Sequence, residues 1–295
     1  MSLDQFLQYL VSGLSQGSIY ALAGLGFTLI YSVTKIINFA QGEFVMLGGM
    51  LSFVLIASAG IPMVPALLLS IIIAVAIGAI MYVLAIRSAK KASEVSLIII
   101  TIGAAILIRG LAGEVWGVDA VRPPFFTGSE TLSFLGARVH PQALWIIGFT
   151  IAITIALHLF LSHTMLGKAL KACSVNPQAA KLVGIDPRAM GLIAFGLAAA
   201  IGATGGVVMA PLTLTSYNVG VMLGLKGFVA ASIGGFTSPL ATVVGGIGVG
   251  VIESVAVGVN WGPFTSEYKD AIALVILLVI LLIRSGRLAT EERVS

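Results

Sequence analysis

The sequence predicts an all-α, polytopic membrane protein with eight or nine transmembrane helices, some of them broken or re-entrant. Three observations carry that expectation. Of 295 residues, 58% are hydrophobic and only 9% charged, and the mean hydropathy is +1.10, more apolar surface than a water-soluble fold can bury. The apolar residues come in runs of about 20, the length that crosses a ~30 Å hydrocarbon core as a helix. Within each run the apolar character is continuous and does not alternate with period two, so helices are expected and a barrel is not.

The runs cover roughly 6–31, 39–59, 62–86, 95–112, 143–162, 187–210, 219–236, 238–258 and 268–284. The first carries Gln16, Ser18, Tyr20, Thr28 and Tyr31 and is expected to face other helices. The second opens on a dense polar group, Asn38, Gln41 and Glu43 beside Gly42. Such polarity at membrane depth is tolerated where it packs within protein or lines a wet cavity, so a helix break is expected there. The third run ends at Arg87, Lys90 and Lys91, the fifth leads to Lys168, Lys171, Lys181 and Arg188, and the last to Arg284, Arg287 and Arg293. By the positive-inside rule these cationic segments face the cytoplasm. Counting spans back from Arg87 places Lys35 inside and the amino terminus outside. The loop 113–142, with Glu114, Asp119, Glu130 and the turn-forming Pro123 and Pro124, then lies outside.

Between the sixth run and the last, Thr213–Ser238 mixes glycines with Thr215, Ser216, Asn218, Lys226, Ser232, Thr237 and Ser238. Hydropathy leaves two readings open, two full crossings or one re-entrant hairpin. Interrupted helices of this kind point to the central pathway of a transporter. No soluble domain or low-complexity linker intervenes, so 1–295 reads as one membrane domain with a cytoplasmic loop over 163–189. The first basic residue is Lys35 and Asp4 precedes it, against a secretory signal peptide. The single cysteine, Cys173, excludes an internal disulfide. The net charge of +4 gathers in loops as a topology signal, and nucleic acid is not an expected partner.

Glycines at helical spacing, Gly13 with Gly17, Gly202 with Gly205 and Gly206, and Gly245, Gly246, Gly248 and Gly250, let backbones approach in lipid. They serve either ordinary packing or a translocation path. Each ionisable group at depth costs a few kcal/mol unless paired or wetted, so Glu43 and Glu253 need partners. Counted by depth, Arg109 is the expected partner of Glu253, and Lys35 that of Glu43. Asn38, Gln41, Glu43, Thr215, Asn218 and Glu253 are the candidates for a pathway or gate, against the plainer reading of salt bridges and helix starts. Enzyme signatures are lacking: His140, His158 and His163 have neither metal-ligand spacing nor an accompanying carboxylate. In LSHTMLGKAL, Ser162 stands where a phosphate-binding loop requires its first glycine, and Ala169 where it requires Ser or Thr. No catalytic residue, metal ligand or cofactor is expected on this chain.

The cytoplasmic stretch KACSVNPQAAKLVGIDPRAM, 171–190, is more legible. Asn176 is a good N-cap and Pro177 fits the first helical position. Gln178, Ala179, Ala180, Lys181, Leu182 and Val183 make under two turns, and Gly184 supplies the left-handed residue that ends them. Asp186 and Pro187 repeat the signal and start the next span. So short a helix is unstable alone and must dock, on the protein's own inner surface, on lipid headgroups or on a separate cytoplasmic protein.

Four motifs along the chain, GSIYAL at 17–22, INFAQGE at 37–43, AAKLVGI at 179–185 and KGFVAASIGG at 226–235, resemble the membrane subunits of bacterial ABC importers of the branched-chain amino acid type. The resemblance covers nearly the whole chain. It implies an inner-membrane permease paired with a second homologous permease subunit, two cytoplasmic ATPase subunits and an external substrate-binding protein. It also implies that Asn176–Gly184 is the coupling helix seated in the ATPase. Members commonly carry an acidic residue near the start of that helix, whereas here Ser174, Val175 and Asn176 stand, leaving the implied contact to Asn176, Gln178 and Lys181. The expected cargo is branched-chain or other amino acids. The alternative is a secondary transporter of a small polar solute, with Glu43 and Glu253 as proton or sodium sites.

Overall fold

The computed structural model describes residues 3–89, 92–134, 137–259 and 270–279. Helix α1 (Leu3–Thr34) is followed by α2 (Gln41–Phe53), which a π-helical turn at Val54–Ser58 prolongs, and by α3 (Met63–Met81), prolonged in the same way by Tyr82–Ile86. Then come α4 (Glu94–Trp116), a hairpin of β1 (Leu132–Phe134) and β2 (Ala137–Val139), and α5 (Pro141–His163). Two short helices, α6 (Met165–Val175) and α7 (Pro177–Leu182), precede α8 (Pro187–Thr213), α9 (Val219–Ile233) and α10 (Pro239–Val259). A last described helix, α11, covers Asp270–Val279.

Seven of the described helices are long and apolar enough to cross a membrane. The expected run at 219–236 becomes the 15-residue α9, about 22 Å long and too short to span a ~30 Å core unaided. The rest of the run at 268–284 lies outside the described residues, as do Lys90, Lys91, Arg284, Arg287 and Arg293.

Burial inverts the pattern of a soluble protein. In α1, 83% of the most apolar window is buried, against 17% in α4 and in α5. Helices α1, α2 and α8 form the centre, while α3, α4 and α5 present Leu68, Ile72, Leu107, Leu111, Ile151 and Ile155 outward. Lipid tails are as apolar as leucine, so the centre is held by close packing of small residues. Along α1 and α10 the pairs Gly13/Gly17 and Gly246/Gly250 interlock, and a Cβ at Gly17 would stand 2.6 Å from the Ile247 Cα. Between α2 and α8, a Cβ at Gly206 would strike the Val45 carbonyl.

The expected break after the first span is present, and its course positions the site. Lys35 takes a left-handed φ of 59°, and the chain turns back into the bundle. The Phe39 amide donates to Thr101 Oγ1 of α4 at 3.2 Å, and Gln41 Nε2 donates to the Ala198 carbonyl of α8 at 3.0 Å. Ala198 lies about 16 Å along α8 from Pro187, so α2 begins deep inside the bundle. At the opposite end, Gln8 of α1 and Arg138 of β2 exchange two 2.8 Å hydrogen bonds, and Val121 pairs with Thr215 through backbone bonds of 2.8 and 2.9 Å.

Candidate functional site

Two buried charged groups and one exposed helical face stand out. The first group lies where α2 starts. Asn38, Gln41 and Glu43 are all buried; the Asn38 Oδ1 accepts from the Ala40 amide at 3.1 Å and shapes the turn into α2. Glu43 Oε1 stands 4.0 Å from Arg109 Nη1 of α4. The other carboxylate oxygen, Oε2, is buried without a hydrogen-bond partner among the described residues, as are Asn38 Nδ2 and Gln41 Oε1. Close approach of α9 closes this group from one side: a Cβ at Gly224 would lie 3.2 Å from the Gly42 Cα. Glu43 and Arg109 line a cavity of about 270 Å³ between α2, α4 and α9.

The second group ties four helices together. Lys226 of α9 donates to Glu253 of α10 at 2.5 Å and to the Tyr20 hydroxyl of α1 at 3.1 Å, and it meets Asp270 of α11 at 2.7 Å. Tyr20 in turn donates to the second Glu253 oxygen at 2.7 Å. The Glu253 side chain is fully buried, whereas that of Asp270 is 51% exposed. Every polar atom of Glu253 is thus engaged, the condition under which a charge is tolerated at this depth.

These contacts correct both pairings expected from depth. Arg109 meets Glu43 and not Glu253, and Lys35 meets neither carboxylate but donates to the Ser174 carbonyl of α6 at 3.1 Å. The expectation failed because it placed Glu43 at the inner end of a span, whereas the returning segment lifts it toward Arg109. Thr215 and Asn218 join neither group. Thr215 packs its hydroxyl against Gly49 and pairs through its backbone with Val121, and the exposed Asn218 accepts from Ser216 Oγ at 2.7 Å just before α9. Sequence reading noted Lys226 only as one polar residue among many, and missed Asp270. The signal available was an acid at the head of the last apolar run.

The stretch 171–190 folds as its caps dictate. Asn176 Oδ1 accepts from the Gln178 and Ala179 amides at 2.9 and 3.0 Å. Gly184 closes α7 with φ 87°, and Asp186 caps α8 through the Arg188 amide at 3.0 Å. The preceding helix α6, absent from the sequence reading, buries Leu170 and Cys173, while its last residue Val175 and, at the end of α7, Leu182 and Val183 are 86%, 89% and 75% exposed. Burial pushes the Cys173 thiol pKa up. A cavity beside α7 is bounded by Pro177, Gln178, Lys181, Leu182 and Pro187. His140 and His163 sit at the two ends of α5, His140 Nδ1 accepting from the Gln142 amide at 3.1 Å.

Long apolar helices around a glycine-packed, charge-bearing centre define a multi-pass membrane protein. The chain belongs to the branched-chain amino acid transport system / permease component family, whose model matches residues 9–281. It is 30% identical to the high-affinity branched-chain amino acid transport system permease protein BraD of Pseudomonas aeruginosa, over 97% of each chain. To the LivH permease protein of the same description from Escherichia coli it is also 30% identical, over 94% of this chain and 93% of the relative. The ribose import permease protein RbsC of Escherichia coli is more distant, 23% identical over 92% of this chain.

Proposed function

We propose that this chain is the permease subunit of an ATP-driven importer of branched-chain or other amino acids in a bacterial inner membrane. It works with a second homologous permease subunit, two cytoplasmic ATPase subunits and an external substrate-binding protein. The family match over 9–281 and the cargo named for its relatives support the transport class. The observation that carries the coupling role is α7: a capped helix of under two turns that buries Ala180 alone and leaves Leu182 and Val183 89% and 75% exposed has little burial to hold it, and a partner protein supplies the rest. Asn176 spends its side-chain oxygen on its own cap, so Gln178, Lys181, Leu182 and Val183 are left to make the contact.

In this reading ATP binding draws the ATPases together and moves α6 and α7. The Lys35–Ser174 bond joins α6 to the turn that carries Asn38, Gln41 and Glu43, so the movement reaches the start of α2 without passing through the whole bundle. The outward pathway opens to the binding protein, and hydrolysis resets it.

Reconstituted vesicles test the class. Uptake of leucine should require both ATP and added binding protein; uptake driven by a pH or sodium gradient with this chain alone would sink the importer and favour a secondary transporter.

A further inference from the structure

The cavity between α2, α4 and α9 has a composition that pathway lining alone does not require. Its walls are Phe39, Ile102, Ile106, Val221 and Leu225, and its two ionisable groups are Glu43 and Arg109. At 4.0 Å the two charges face each other without a hydrogen bond, and Glu43 Oε2 is buried and unpartnered among the described residues. Buried charges held this loosely are costly unless something completes them. Arg109 keeps 28% of its side chain exposed on a helix whose neighbouring residues are apolar. A guanidinium at such depth faces water or protein in preference to hydrocarbon.

We propose that this cavity binds the zwitterionic head of an α-amino acid, Glu43 receiving the ammonium and Arg109 the carboxylate, with the apolar walls around the side chain. The proposal rests on the amino acid import reading. An ammonium brings three donors to the Glu43 carboxylate, and a carboxylate accepts two parallel bonds from a guanidinium. The volume of about 270 Å³ lies just under the ~300–1,000 Å³ of drug-sized pockets, the scale of a single amino acid. The wall residue Phe39 stacks on Phe228 at 5.6 Å, and Phe228 meets Phe27 and Phe236.

Site-directed labelling tests it. Ile106, which lines the cavity and is 56% exposed, is replaced by cysteine in the assembled complex reconstituted in lipid vesicles. Buried Cys173 is the native background, a poorly reactive thiol. Maleimide modification of the Ile106→Cys complex is timed with leucine, with leucinamide, which lacks the carboxylate, and with 4-methylpentanoate, which lacks the ammonium. Leucine should protect, and each analogue should need roughly 10- to 100-fold more for equal protection, the loss expected when one charged hydrogen-bonding group is removed. Glycine, the head group alone, should protect more weakly than leucine. Adding Arg109→Gln should erase the advantage of leucine over leucinamide. No protection by leucine, or equal protection by all three, in a preparation whose unaltered complex performs ATP-driven leucine uptake, overturns the site and leaves the importer standing. Selective protection by leucine without ATP-driven uptake keeps the site and overturns the importer.

Discussion

At the scale of single residues, Lys226 is heavily committed, facing two carboxylates and a phenol. Lys226→Met should therefore strand Glu253 and cost about 3–5 kcal/mol, the penalty of an uncompensated buried charge. Glu253→Gln leaves Lys226 its bond to Asp270 and should cost only about 1.5–3 kcal/mol. Thermal unfolding of the detergent-solubilised complex measures both, and equal losses would mean that Asp270 contributes nothing. The need for partners at Glu43 and Glu253 was legible in the sequence, because a carboxylate inside an apolar run stands out. The identity of those partners was not. Pairing depends on which helices adjoin and at what depth, and the fold-back after Lys35 changes the depth of everything that follows until α2 leaves the bundle.

At the scale of elements, α7 shows local chemistry legible almost residue by residue. Asn176, Pro177, Gly184 and Asp186 each stand where capping rules place them, because caps are satisfied by neighbours in sequence. Gly184 has free space around its Cβ position but a φ of 87°, so a β-branched residue there meets backbone strain of roughly 1–2 kcal/mol. Gly184→Val should abolish stimulation of the ATPase by the permease while membrane insertion stays intact; normal stimulation and transport would refute the coupling role. Packing seams were less legible. Glycine spacing marks a helix fit for close approach and does not say which neighbour arrives, so the match of α1 with α10 and of α2 with α8 emerged only from the structure. Gly206→Ala drives a methyl into the Val45 carbonyl and should cost about 1–3 kcal/mol. Gly103→Ala, whose Cβ meets nothing within 4 Å, should be neutral or stabilising by up to ~1 kcal/mol. Comparing the melting temperatures of the two variants checks the seam directly.

At the scale of the whole molecule, composition alone revealed the class, since no water-soluble fold can hide so much apolar surface. The inside-out arrangement follows from the same physics: the polar, glycine-rich spans gather at the centre and the greasiest face outward. What composition left open was how α6 and α7 connect to that centre, and the bond from Lys35 to the Ser174 carbonyl of α6 is one such connection. The acceptor of that bond is the main-chain carbonyl of Ser174, which every amino acid possesses. Any residue may replace Ser174 without severing the connection, whereas Lys35 has no such freedom. On the proposed coupling role, the surface that α6 and α7 offer can thus change its side chains to suit a different partner without cutting the tether behind it.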